Sequence, residues 1–298
     1  MRRDNLIQHR AFSPGRIAAI AANTFTELRR LRAFYALLLF AIVLIGNSVF
    51  VARLTLQQEL QVLKDVSLGA MSIFSSLLAI VATARLLPQD IEDRTVYAIL
   101  AKPVPRFEYV IGKLLGVVFL LAVSIAVMAA LFTALLYFRE HSAASDLTRQ
   151  MAAAPSGQLS AALNDLRAAT FNANLFPAIV VIFVKASVLA AITLLISTFA
   201  TSTIFTIVVT AFVYFIGHLQ ATAREYWLQE QGAGWWHRLF LGCVALIFPD
   251  LHAFDFADEI VAGASIPLTL FLQTMGLGCF YMTLYLLLAI AVFNGKEL

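Results

Sequence analysis

Charged side chains are scarce in this chain of 298 residues. Only 13% of the residues are Asp, Glu, Lys or Arg, and 61% are hydrophobic, whereas an ordinary soluble domain has about 25% charged and about 45–50% apolar residues. Five long stretches contain no charged residue at all, namely 33–52, 66–84, 114–138, 186–223 and 260–295. This distribution excludes a soluble protein of one or two domains and predicts an integral membrane protein.

Motifs for catalysis and for cofactor binding are also missing. The two cysteines, Cys243 and Cys279, form no Cys-x-x-Cys pair, so neither a disulfide framework nor a thiolate metal site is indicated. No His-Glu-x-x-His or Gly-x-Ser-x-Gly motif occurs, which argues against an intramembrane hydrolase. The Gly-Lys pair at 112–113 lacks the glycine and the hydroxyl residue that a phosphate-binding loop needs. We therefore predict no catalytic residue, metal or cofactor in this chain, and no nucleic-acid partner.

The apolar stretches are long enough to cross a membrane. A spanning helix needs about 20 apolar residues, and these runs are continuously apolar rather than alternating, as the strands of a membrane barrel would be. We predict an all-α membrane protein with a single transmembrane domain over residues 1–298. Its six spanning helices are expected near 33–52, 67–86, 114–138, 175–197, 203–220 and 267–293.

Basic residues near the span ends predict the orientation of the chain. Seven arginines precede the first span, and five more basic residues lie between the second and third spans. The other side has seven basic residues, but they are spread over three loops that total nearly a hundred residues. We therefore predict that both termini and the connection 87–113 are cytoplasmic, and that the loops 139–174 and 221–266 are external.

Two further segments are predicted to lie at the membrane surface or to dip into it. Residues 1–32 form a basic N-terminus in which 15–32 reads as an amphipathic helix, with an apolar stripe of Ile17, Ile20, Thr24, Phe25, Leu28 and Leu31. Such a helix beside a span tends to lie in the cytoplasmic interface, although the arginines also serve simply as a topology signal. The apolar run 239–249 is too short to cross the bilayer, so it is predicted to be re-entrant, before the last span.

The connection 87–113 predicts a compact amphipathic helix at the membrane face. Its first turn is acidic, which suits a helix N-terminus, and two prolines end it before the chain returns to the bilayer. Gly112 and Gly116 form a Gly-x-x-x-Gly step that permits close helix packing. Charges of both signs suit docking onto a soluble partner; the alternative is an ordinary charged connection between two spans.

Four segments resemble the permease subunits of type-2 ABC exporters, most closely the branch labelled as permeases for multi-copper enzyme maturation. They are TFTELRRLRAFYALL at 24–38, QDIEDRTVYAILAKPVPRFEYVIGKLLG at 89–116, LLISTFATSTIFTIVVTAFVYFIGH at 194–218 and IFPDLHAFDFADEIVAG at 247–263. They are similar to the family's first helix and span, its coupling segment, its tight turn between spans four and five, and its outer segment before span six. The four segments lie between residues 24 and 263 and together make up less than a third of the chain, and the coupling segment is the most specific of them.

The resemblance implies a partner and a mechanism. A coupling helix from residue 90 to 100 would sit in a groove of a separate ATPase subunit, which would bind ATP and magnesium, and a second permease copy or a paralogue would complete the transport path. The resemblance also implies a multi-pass protein of the bacterial inner (plasma) membrane. The positions assigned to ATPase coupling are Asp90, Glu92, Arg94, Thr95, Pro103, Arg106 and Lys113. Arg94 stands where many members have glycine, so the local turn is expected to differ.

Nothing in the sequence supports copper as the substrate of this chain. No Met-x-x-Met, Cys-x-x-Cys or paired histidines occur in any predicted span. The label of the branch is therefore not carried over as a substrate, and the resemblance implies export of an unidentified compound.

Lys185 is the one charge deep inside a predicted span. An intramembrane ionisable residue is a candidate for the transport path, and the alternative is a lysine that snorkels or pairs with a carbonyl. A secondary transporter or a channel, driven by gradients without an ATPase, is the second functional class. Such proteins commonly carry several charges within spans and repeated halves with broken helices, and neither feature is evident here.

Overall fold

The computed structural model describes residues 13–53, 59–92, 105–151, 156–171, 175–229, 248–256 and 267–295. Within these ranges the chain is almost wholly helical and contains no strand, which confirms the all-α fold class. The helices are α1 (Pro14–Arg29), α2 (Arg32–Arg53), α3 (Glu59–Ala84), α4 (Leu86–Glu92), α5 (Arg106–Gln150), α6 (Ser156–Thr170), α7 (Leu175–Phe199), α8 (Thr203–Gln229) and α9 (Leu268–Gly295), with one 3₁₀ turn at His252–Phe254.

The described residues contain six segments that are long and apolar enough to cross a membrane. They are Arg32–Val51, Glu59–Glu92, Arg106–Gln150, Leu175–Phe199, Thr203–Gln220 and Leu268–Gly295. Each overlaps one predicted span, so the architecture of a multi-pass membrane protein agrees with the sequence in number and order.

Helix α5 is much longer than the span predicted at 114–138. It has 45 residues, which at 1.5 Å per residue is about 67 Å, roughly twice the thickness of the hydrocarbon core. The charged residues that bounded the prediction lie within the same continuous helix, because a helix tolerates charges where it leaves the bilayer. Much of the predicted loop 139–174 is likewise helical, since it contains the end of α5 and the whole of α6.

Helix α7 forms the centre of the bundle. It packs against α3, α5, α8 and α9, and most of its side chains are buried on every side. A helix that is apolar all round is expected in such a position. By contrast, α2, α8 and α9 each leave a face of large apolar side chains exposed, including Phe40, Phe212 and Leu287, as helices that face lipid do.

Helix α1 packs along the first turns of α5 and runs in the same direction. A Cβ atom at Gly112 would lie 2.7 Å from the Cβ of Ile20, and one at Gly116 would lie 2.6 Å from the Cβ of Thr24. The Gly-x-x-x-Gly step therefore does permit close packing, as predicted. Ile17, Thr24 and Leu28 of the predicted stripe are buried. A position of α1 in the plane of the membrane surface is not confirmed, because its contacts follow the axis of α5.

The segment 248–256 packs against α7, α8 and α9 before α9 begins. The amide of Leu251 donates a hydrogen bond to the carbonyl oxygen of Gly217 in α8, at 3.0 Å. Leu251 and Phe254 are buried. The predicted re-entrant run 239–249 lies almost entirely outside the described residues, so that prediction is not confirmed.

Candidate functional site

The first candidate site lies where α4 meets the beginning of α5. Helix α4 follows α3 directly, and Leu86, Leu87 and Pro88 are buried, so this short helix is held against the bundle by its first turn. Asp90 is also buried, whereas Glu92 is exposed. Residues two apart on a helix point to different sides, which explains why one acid faces inward and the other faces outward.

Lys113 of α5 is the centre of a charged network that joins three helices. Its ammonium lies 2.6 Å from a carboxylate oxygen of Asp90 in α4 and 3.5 Å from one of Glu27 in α1. The hydroxyl of Tyr109 donates a hydrogen bond to Asp90, and the same ring lies under Lys113 at 5.7 Å. Only 3% of the Lys113 side chain is exposed, so both its charge and its packing depend on these partners.

A second ion pair fixes the start of α1 to the start of α5. Arg16 donates to both carboxylate oxygens of Glu108, at 2.6 and 2.8 Å, and the amide of Ser13 donates to the same carboxylate at 3.0 Å. Glu108 is fully buried, and a bidentate pair of this kind is among the stronger polar contacts in proteins. The hydrogen bond to Glu108 raises the pKa of the Arg16 guanidinium above its ordinary value.

The end of α9 meets the same region. Arg106 donates hydrogen bonds to the carbonyl oxygens of Phe293 and Asn294, at 3.3 and 3.0 Å. These carbonyls belong to the last turn of α9, where a helix has no backbone donors left to satisfy them. The ring of Phe293 also stacks on Tyr109 with centroids 5.8 Å apart. We refer to Arg16, Glu27, Asp90, Arg106, Glu108, Tyr109, Lys113 and Phe293 as the junction.

The structure brings together only some of the residues predicted for ATPase coupling. Asp90 and Lys113 are in contact, and Arg106 joins them through the stacked rings of the junction. Glu92 lies apart from them on the exposed side of α4. The remaining three, Arg94, Thr95 and Pro103, lie outside the described residues.

Sequence reasoning did not predict five members of the junction, namely Arg16, Glu27, Glu108, Tyr109 and Phe293. A signal for one pair was present, because Arg16, Ile20 and Thr24 recur every four residues, as do Glu108, Gly112 and Gly116. Two helices that pack through the glycines in this register place Arg16 opposite Glu108 one turn earlier, which is the observed contact.

Lys185 forms a second, separate candidate site in α7. It is 1% exposed, and its ammonium donates a hydrogen bond to the hydroxyl of Ser72 in α3 at 3.2 Å. The charges of Asp255 and His218 interact with it electrostatically. The lysine therefore points into the bundle, and its role in transport stays a prediction.

The described residues of the two sites include no group of ligands for a metal. Among the described residues, no three His, Cys, Asp or Glu side chains are placed to hold a metal ion together.

No protein-family model matches the sequence, and no curated protein is similar enough to count as a match. The resemblance to ABC permeases therefore stays a prediction.

Proposed function

We propose that this chain is the membrane subunit of an ATP-driven transporter of the type-2 ABC exporter kind. A separate ATPase subunit would bind ATP and magnesium on the cytoplasmic side, and a second copy of this chain or a paralogue would complete the transport path. The protein would reside in the bacterial inner membrane with both termini in the cytoplasm. The transported compound is not identified by any described residue.

The junction is the observation that carries this proposal. A partner that pushes on a membrane bundle needs a place where its force reaches several helices at once. Here Lys113 ties α1 and α4 to α5, and Arg106 ties the end of α9 to the same helix. Movement of the connection after α4 is therefore expected to move α1, α5 and α9 together, as a rigid-body switch requires.

The junction also divides the predicted coupling residues into two roles. Asp90, Arg106 and Lys113 satisfy each other or the backbone of α9, so we assign them to internal support rather than to contact with the partner. Glu92 is exposed at the end of α4, where it is available to an outside subunit. In this proposal Glu92, together with the connection after it, contacts the ATPase.

Two finer features of the fold belong to the same proposal. We infer that α1 lies at the cytoplasmic face of the membrane, because arginines flank it and its apolar side packs against α5. We also infer that the region before α9 enters the outer half of the bilayer, because its described part packs on α8 rather than on a loop.

A charge reversal at Glu92 tests the contact with the ATPase. We expect Glu92→Lys to reduce co-purification of the ATPase subunit and the ATP turnover of the complex in reconstituted membranes, because charges at the rim of an interface steer association. Asp165→Lys is the matched control, since Asp165 is an exposed acid in α6, on the side predicted to be external. This control should leave both measurements unchanged.

Two results would contradict the proposal at different levels. Full complex yield and turnover in Glu92→Lys would remove this residue from the interface while leaving the partner in place. Transport by the purified chain alone, driven by an ion gradient and without any ATPase, would instead establish the secondary-transporter class.

A further inference from the structure

The segment 248–256 is held against the helices by a backbone hydrogen bond and by buried apolar side chains. A backbone hydrogen bond joins this segment to α8, from the Leu251 amide to the Gly217 carbonyl oxygen, at 3.0 Å. Leu251 and Phe254 are almost completely buried. Asp250 accepts a hydrogen bond from the amide of His252 at 3.1 Å and so stabilises the turn between these two side chains.

Two glycines make room for this segment. A Cβ atom at Gly217 would lie 2.7 Å from Cγ of Leu251 and 2.9 Å from the carbonyl oxygen of Pro249. A Cβ atom at Gly278 in α9 would collide with Val184 and lie 3.2 Å from the ring of Phe254. Leu251 and Phe254 therefore occupy notches that any larger residue in α8 or α9 would fill.

These contacts lie deep along the helices. Val184 is about 14 Å from the first residue of α7, and Gly278 is about 15 Å from the first residue of α9, at 1.5 Å per residue. Half of the hydrocarbon thickness is about 15 Å. Phe254 thus lies at the same depth in the bundle as Val184. Asp255 follows Phe254 in the chain and Lys185 follows Val184, so two opposite charges lie at nearly the same depth.

The charges around Lys185 favour an attraction between α7 and this segment. The ammonium has three N–H donors, and within the described part of the chain its hydrogen-bond acceptor is the Ser72 hydroxyl. Asp255 is the described carboxylate whose charge acts on Lys185, and it acts on His218 of α8 as well. Among the described residues of this group, Asp255 supplies the negative charge.

We propose that Lys185 is a positioning residue, which attracts Asp255 and thereby keeps the segment 248–256 in its two glycine notches. In this role the lysine does not touch a transported compound. Release of Asp255 lets the segment leave α8 and α9 and opens the bundle on that side. The inference does not depend on the proposed function, because it concerns only contacts within this chain.

The Leu251 amide gives a direct measurement of whether the segment is in place. Its hydrogen exchange can be followed by mass spectrometry on the intact chain in lipid nanodiscs. We expect slow exchange in the unmodified protein and several-fold faster exchange in Lys185→Met and in Asp255→Asn. The double variant should exchange no faster than the more affected single variant, and Lys185→Arg should restore slow exchange because it keeps the charge.

Two control variants separate this role from a general structural one. Lys64→Met removes another buried lysine from α3 and should leave exchange at Leu251 unchanged. Ser72→Ala removes the hydrogen bond of Lys185 but not its charge, and its effect should be smaller than that of Lys185→Met.

Three outcomes would overturn the proposal. They are unchanged exchange at Leu251 in Asp255→Asn, additive effects of the two substitutions, and exchange in the unmodified protein as fast as that of a free amide. If Lys185→Met loosens all of α7, the exposed Asp255 side chain still allows Asp255→Asn to decide the matter alone.

Discussion

At the scale of single residues, the junction depends on which way neighbouring acids point. The sequence shows one acidic turn at residues 90–93, and composition alone does not distinguish its members. The structure places Asp90 against Lys113 and leaves Glu92 exposed. Helical periodicity would have separated the two faces, but only the position of α5 decides which of them is buried.

The ion pair between Lys113 and Asp90 gives a prediction for the stability of the protein. We expect Lys113→Met to lower the free energy of unfolding by about 3–5 kcal/mol, because it removes the cation from a buried ion pair with Asp90. Adding Asp90→Asn should recover part of this loss, since the contacting residues do not act independently. Thermal unfolding of the detergent-solubilised chain measures both effects, with the exposed Arg149→Met as control. Losses that simply add would show that the two charges are not coupled.

At the scale of helices, glycines decide which elements approach closely. Gly112 and Gly116 lie in contact with α1, while Gly69 in α3 has open space around it. All three are helical glycines within or beside apolar sequence, so their different surroundings follow from neighbours that are distant in the chain.

This contrast predicts opposite results from the same substitution. Gly116→Ala should destabilise the protein by about 1–3 kcal/mol, the usual cost of overpacking, because its Cβ atom would meet Thr24 at 2.6 Å and the Ala21 carbonyl at 2.8 Å. Gly69→Ala should be neutral or stabilising by up to about 1 kcal/mol, since alanine favours a helix. Thermal unfolding together with protease sensitivity of α1 tests both. Equal effects of the two substitutions would argue against the packing of α1 on α5.

The positions of the helices along the chain could be predicted from the sequence, whereas the packing of one helix against another could not. Long apolar stretches with few or no charges locate all six long helices, because a charge inside hydrocarbon is costly. They do not show that α7 is central and α2 peripheral, since both helices are apolar over a spanning length. They also set the limits of α5 too narrowly, because charged residues continue the helix beyond the bilayer. The sequence predicts the ion pair between Arg16 and Glu108 only if it is already known that α1 packs against α5.

At the scale of the whole molecule, the arginine distribution predicts the orientation. Reporter fusions after residue 150 should read as external, and fusions after residues 95 and 298 should read as cytoplasmic. An enzyme that is active on only one side of the membrane provides the measurement. A cytoplasmic result at 150 would invert the topology and place the junction outside, where no ATPase could reach it.

The length of α5 has a mechanical consequence for the whole bundle. Arg106 begins this helix at the junction, and Arg139 and Glu140 near its other end bind Glu59 and Arg167. A straight rod of about 67 Å turns a tilt of about 5° at one end into a displacement of about 6 Å at the other. Because no loop interrupts α5, it acts as a lever arm that is joined to other helices near both ends, and a small rotation at the junction would displace α6.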